Sequence, residues 1–381
     1  MVSELLPQPG LIFSLATFIL MIAVLVVVHE GGHFLAGRMF DTKVDAFAFG
    51  FGRELLGWTD RKGVRWRLNA VPLGGYVRFT GDMNEASQTD PEVLKLPADE
   101  RGQLFAFKPL WQRAIIVAAG PIVNFLFAIL ILAGFYMSLG HPTTPALVSG
   151  VVPGSAAAAA GLQAGDRITA IDGSRVNRFE DVINIVISGT GDPLRVTVER
   201  GGAARTITVV PKMVETIDRF GDVMRHPRLG IARGEQVVES VGPVQALAYG
   251  VVDTGDIIVT IARTLRQVVM GERSLDELGG PIRTGQVTGQ QASLGVASFV
   301  AFMAFFSINL GFINLIPIPM LDGGHLLLYA VEAMRRRPLG EKTQQWAFMS
   351  GFAAIMSLMA VLTWNDLSSV GVWTQLAGWL G

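Results

Sequence analysis

In Val24-Leu25-Val26-Val27-Val28-His29-Glu30-Gly31-Gly32-His33 an apolar run meets three ionisable side chains with no turn signal in between. The run starts near Leu11, and its helical pattern continues past His33 to about Met39. Such a length crosses a hydrocarbon core of roughly 30 Å. Helix positions i and i+4 share a face, so His29 and His33 can reach one ion. Glu30, next to His29, is placed to hold and deprotonate a water there. The five-residue pattern alone recurs by chance, as a solvated polar turn at a helix end. Here its three ionisable groups sit at membrane depth, where each costs on the order of 3 kcal/mol unless paired. One metal ion compensates all three.

Working outward, the chain of 381 residues is 50% hydrophobic and only 17% charged, against about a quarter charged in soluble domains. A net charge of −1 gives no electrostatic reason to expect nucleic acid as a partner. There is no cysteine, which excludes disulfides and thiolate metal sites. The metal must be held by His, Asp or Glu, and the histidines are His29, His33, His141, His226 and His325.

Four transmembrane helices are expected: within residues 1–39, at 114–139, within 295–325 and within 345–364. The first has no basic leader and no small-residue cleavage site, so it reads as retained. Lys and Arg crowd the loop 40–113 and the short loop at 335–342, while the first ten residues and the tail after Trp364 carry none. By the positive-inside bias both loops are cytoplasmic and both termini extracytoplasmic. Residues 213–294 then lie outside, and Val244, Leu247, Val251, Ile258, Ile261, Leu265 and Val268 recur there at helical spacing. Asp253, Asp256, Arg263 and Arg266 interrupt any span, so an amphipathic helix on the membrane surface is expected.

The third metal ligand should reach the depth of His29 from another span. Asp322, in Asn314-Leu315-Ile316-Pro317-Ile318-Pro319-Met320-Leu321-Asp322-Gly323-Gly324, lies just past the inner end of the third helix; His325 is the rival. The prolines break that helix, and irregular backbone at such depth is tolerated only when buried or lining a wet cavity. His141 and His226 fall on the opposite side and read as ordinary surface residues. Between the first two spans, residues 44–51, 64–68 and 76–79 alternate like strands, with Gly50, Gly52, Gly74 and Gly75 as turns. By alternation alone they read as a cytoplasmic β-hairpin packed on the first helix.

Gly161-Leu162 and Gly165-Asp166 precede a strand at 168–171, the Asp172-Gly173 turn, a helix near 179–187 and strands at 194–199 and 206–210. With these elements, residues 145–212 resemble a PDZ domain of bacterial envelope proteases. His-Glu-Gly-Gly-His in the first span and Asn-x-x-Pro-x-Pro-x-Leu-Asp-Gly in the third resemble the site-2 protease family. With a PDZ domain between spans two and three, the chain is similar to the bacterial branch that includes the regulator of sigma-E protease. Gly50-Phe51-Gly52, Pro72-Leu73-Gly74-Gly75-Tyr76, Gly120-Pro121-Ile122-Val123-Asn124 and Gly280-Pro281-Ile282 carry further likeness. One PDZ domain is legible where the best-known members have two.

The resemblance implies an α-helical polytopic membrane protein with a re-entrant β-element and an inserted extracytoplasmic PDZ domain. It implies zinc on His29, His33 and Asp322, with Glu30 as general base and proton donor. Asn314 and Asn124 are similar to polar groups that position substrate; otherwise they are interhelical hydrogen bonders. The implied activity is intramembrane cleavage of single-span proteins, such as anti-sigma factors or remnant signal peptides after a first outer cut. It would act in the lipid bilayer of a bacterial inner membrane. The alternatives are a non-catalytic metal-binding scaffold or transporter, and an enzyme that trims prenylated peptides, against which the Asp ligand and the PDZ domain count.

Overall fold

A computed structural model describes residues 9–81, 101–188, 191–217, 223–271 and 279–369. The chain forms two compact units, one of Met1–Ala133 with Leu247–Gly381, the other the insertion Gly134–Ala246.

In the first unit α1 (Leu11–Met39) buries Met21, Leu25, His29, Gly32 and Ala36. These recur every three or four residues, a single helical stripe. Ile12, Leu20 and Leu35 on other faces are exposed, as suits lipid contact. The stripe meets α2 (Leu110–Leu139) at Gly32, where a methyl group would stand 2.8 Å from the Ala119 carbonyl carbon. Lipid tails give helices no hydrophobic reason to associate, so close packing through small residues does that work.

Between these helices, β1 (Val44–Thr59) and β2 (Arg65–Phe79) fold back on themselves. Residues 46–49 pair with 65–68 on one side and 75–78 on the other, and residues 54–59 pair with 65–69. Four short segments therefore lie side by side. Among the described residues no strand pairs with the free side of 75–79. Gly50 and Gly52 have φ of +81° and +84°, which only glycine adopts cheaply, and they let the strand reverse.

The insertion Gly134–Ala246 is built on β3 (His141–Thr143), β4 (Val148–Val151), α3 (Ala156–Ala160), β5 (Arg167–Ile171), β6 (Ser174–Arg175), α4 (Phe179–Ser188), β7 (Leu194–Arg200) and β8 (Ala203–Val209). It continues with β9 (Lys212–Ile217), β10 (Val223–Arg228), β11 (Ile231–Arg233) and β12 (Val237–Glu239). Four strands form a sheet in the order β6-β5-β7-β8. The Ala156–Ala160 run is a helix because Ser155 Oγ accepts from Ala158 N at its start and Gly161 adopts φ +82° at its end. Arg200 makes a two-pronged contact with buried Asp166, at 2.6 and 2.7 Å. That contact, with Gln163 N donating to the same carboxylate, holds the Asp166 carboxyl below its ordinary range.

The unit reaches beyond the 145–212 read from sequence. β11 pairs with β4, and Leu229 joins Val148, Ile168 and Val196 in the core. Local pattern could not announce that return, since the pairing spans some eighty residues of sequence. His141 is also not a surface residue. It is buried at the start of β3, pairs with Glu239 and sets its ring 4.6 Å from that of Tyr136. The side chain of His226 lies outside the described residues.

The chain returns to the first unit through α5 (Pro243–Val269), followed by α6 (Pro281–Ser293), α7 (Val296–Leu315), α8 (Asp322–Arg335) and α9 (Glu341–Ser369). Among the described residues five helices are long and apolar enough to cross a membrane, α5 being the addition to the four read from sequence. Its Ile257, Ile258 and Ile261 are not left free for a lipid surface but pack on Ala128, Ala304 and Ile308. Gly289 of α6 presses on Ser14 of α1. The α6 N-terminus is capped from another helix: Asp366 of α9 accepts from Gly280 N at 3.1 Å and Arg283 N at 2.9 Å.

Candidate metal centre

α7 ends at Leu315, and α8 begins at Asp322 after the Pro317–Pro319 turn, so within 295–325 the helix breaks at the prolines, as read from sequence, and a second helix follows. Met320 takes φ +87° to complete the loop. Gly323 and Gly324 lie against the carbonyls of Leu315, Ile316 and Ile318, where side chains would collide. This folded-back loop aims the Asp322 carboxylate at α1.

His29 Nε2 lies 3.2 Å from His33 Nε2 and 3.1 Å from Asp322 Oδ2, and His33 Nε2 lies 3.5 Å from Asp322 Oδ1. Tetrahedral zinc with bonds near 2.05 Å sets its ligands roughly 3.3 Å apart. The triangle fits such an ion. The donor set, two imidazoles and a carboxylate, leaves a fourth position open, as catalytic zinc sites do. His325, the rival ligand, sits one turn along α8, its ring 5.0 Å from that of Phe348.

The supporting contacts come from α2. His33 Nδ1 donates to the Ile116 carbonyl at 2.9 Å, which leaves Nε2 free for the ion. Asn124, fully buried, places its amide nitrogen 3.1 Å from His29 Nδ1. Gly120 makes room for both rings, for a methyl group there would stand 2.9 Å from His29 Cε1 and closer still to His33. The sequence marks Asn124 as a substrate-positioning or interhelical polar group, and Gly120 only as part of a motif. The roles of Gly120 and of the Ile116 carbonyl were invisible because they arise from a neighbouring helix.

A cavity of roughly 330 Å³ opens on the triangle, lined by His29, Glu30, His33, Asn314, Asp322, His325 and Tyr329 among others. Its wall includes Gly74, Gly75, Tyr76, Val77 and Phe79, the unpaired edge of the β-element. Gly75 packs on α1, where a methyl group would stand 2.6 Å from Val26 Cγ1 and 3.5 Å from Glu30 Cγ. Of the residues singled out from sequence, His29, Glu30, His33, Asp322 and Asn314 thus share one cavity, while Asn124 lies behind it.

The family model for peptidase family M50 matches residues 17–358. A protein of Agrobacterium fabrum with the provisional name zinc metalloprotease is 44% identical over 93% of this chain and 95% of its own. Metalloprotease MmpA of Caulobacter vibrioides is 36% identical over 97% of this chain and 99% of its own. Among solved structures, the PDZ domain of an SdrC-like protein from Listeria monocytogenes is 27% identical over 23% of this chain and 84% of its own, with a TM-score of 0.19. With its membrane-length helices and its two-histidine, one-carboxylate cluster, the chain belongs to peptidase family M50, the site-2 protease family of zinc metalloproteases.

Proposed function

We propose that this membrane metalloprotease cleaves single-span membrane proteins in or near their transmembrane segment, using His29, His33 and Asp322 to hold zinc and Glu30 to carry the proton. One observation carries the reading: an unpaired strand edge and the general base face the same cavity as the ligand triangle. A transmembrane helix hides its amides in its own hydrogen bonds, so the substrate must be extended to be cut. Residues 75–79 offer free backbone groups on which an extended chain adds as a further strand. When bound, zinc supplies Lewis acidity at that point. Glu30 takes the proton of the attacking water and passes it to the leaving amine. Asn314, on the cavity wall, orients the substrate backbone.

The Lys and Arg bias supports a site near the cytoplasmic face of a bacterial inner membrane, with both termini outside and α5, whose apolar stripe is broken by Asp253, Asp256, Arg263 and Arg266, packed on the bundle without crossing. The inserted PDZ domain serves as a filter that excludes substrates with a large outer domain. A groove of roughly 470 Å³ between α4 and residues 227–233, lined by Val182, Ile183, Val186 and Leu229, supports a second use, capture of a chain end left by an earlier cut. Fusing a bulky folded domain to a substrate separates the two, since only the filter stops its cleavage.

The deciding experiment co-expresses single-span candidates with wild type and Glu30→Gln and measures zinc alongside. The variant should keep its zinc and lose cleavage by about 10²–10⁴-fold. Undiminished trimming would leave a scaffold or transporter with a separate protease as the better account.

A further inference from the structure

We infer that Asn124 is a positioning residue for the metal ligand His29, setting the imidazole's tautomer and orientation, and that it makes no contact with substrate. The inference rests on the metal reading above. Asn124 has 0% exposure and stands behind the His29 ring, off the cavity wall, so no substrate reaches it. Its Nδ2 is 3.1 Å from His29 Nδ1. Its Oδ1 is buried with no hydrogen-bond partner, an arrangement that costs free energy unless something uses that atom.

Tautomer chemistry supplies the use. His29 Nε2 faces His33 and Asp322 and is therefore the ligating nitrogen. A neutral imidazole that gives its Nε2 lone pair to a metal keeps its proton on Nδ1, and that N–H needs an acceptor. In the orientation observed, Asn124 donates to Nδ1, which puts the His29 proton on Nε2 toward Asp322. A half-turn of the amide brings the orphaned Oδ1 to Nδ1, where it accepts the proton of the ligating tautomer. An amide serves both states without adding charge beside Asp322 and Glu30. The main chain there is held in place by Ser307 of α7, whose hydroxyl donates to the Asn124 carbonyl at 2.9 Å.

A purely interhelical bond and a substrate contact predict different results. In the full-length protein in detergent, zinc affinity is measured by competition with a chromophoric chelator for wild type, Asn124→Leu and Asn124→Asp. Asn124→Leu should bind zinc about 10–100-fold more weakly, and Asn124→Asp, which still accepts from Nδ1, should stay within about threefold of wild type. Equal zinc affinity in wild type and Asn124→Leu, with a raised KM, overturns the inference in favour of substrate contact. If Asn124→Leu does not fold, Asn124→Asp still decides, because a loss of about tenfold or more there overturns it. A wild type that takes up no zinc overturns the metal reading itself, which is a separate failure.

Discussion

Gly120 and His29 are matched across the contact between α1 and α2: a methyl group on Gly120 would stand 2.9 Å from His29 Cε1, and closer to the ring of His33. The metal triangle exists because one helix lacks a side chain where the other carries two imidazoles. Gly120→Ala should therefore displace both ligands. A misplacement near 1 Å costs on the order of 100-fold in rate. Zinc content and cleavage should fall together while the helical circular dichroism stays unchanged.

The strand edge makes a similar demand. Gly75 lies against Val26 and the Glu30 stem, and Gly75→Val would push residues 75–79 away from the cavity. Cleavage should drop by about 10-fold or more through KM as well as kcat, since both positioning and binding of an extended chain are lost. Zinc affinity should not change. A Gly75→Val enzyme with normal kinetics would remove the edge strand from the mechanism.

Asp366 is buried and satisfies two backbone N–H groups at the start of α6. Asp366→Ala leaves both without a partner, which for a helix cap costs about 1 kcal/mol. Hydrogen exchange at residues 280–284 should accelerate roughly fivefold, the factor that this free energy represents when opening is local. Unchanged protection would show that another group takes over the cap.

In the insertion, the Arg200 contact depresses the Asp166 carboxyl. A depressed folded-state value means stability that is complete above the unfolded carboxylate range, near pH 4, and drains away as pH falls through the lower folded value. Exchange at Gln163 N, which donates to Asp166, should rise as pH drops below about 4. Asp166→Asn should remove that pH dependence and lower the thermal midpoint at neutral pH. A slope that survives the substitution would assign it to another group.

The sequence by itself determined which side chains were candidates to hold a metal. An apolar run ending in His29-Glu30-Gly31-Gly32-His33, with Asp322 after a proline-broken span, leaves ionisable groups where lipid tolerates them only in compensation. The alternating segments around Gly50 and Gly75 likewise announced strands. What only the tertiary structure decided were relations between distant residues. The Ile116 carbonyl and Asn124 fix the two imidazoles from α2, residues 46–49 sit between two other segments, α5 packs on α2 and α7, and Leu229 returns to the core of the insertion. Hydrophobic period and turn residues are local quantities. A helix partner, a strand neighbour or the room left by a missing side chain belongs to two stretches of chain at once, and only folding brings those stretches together.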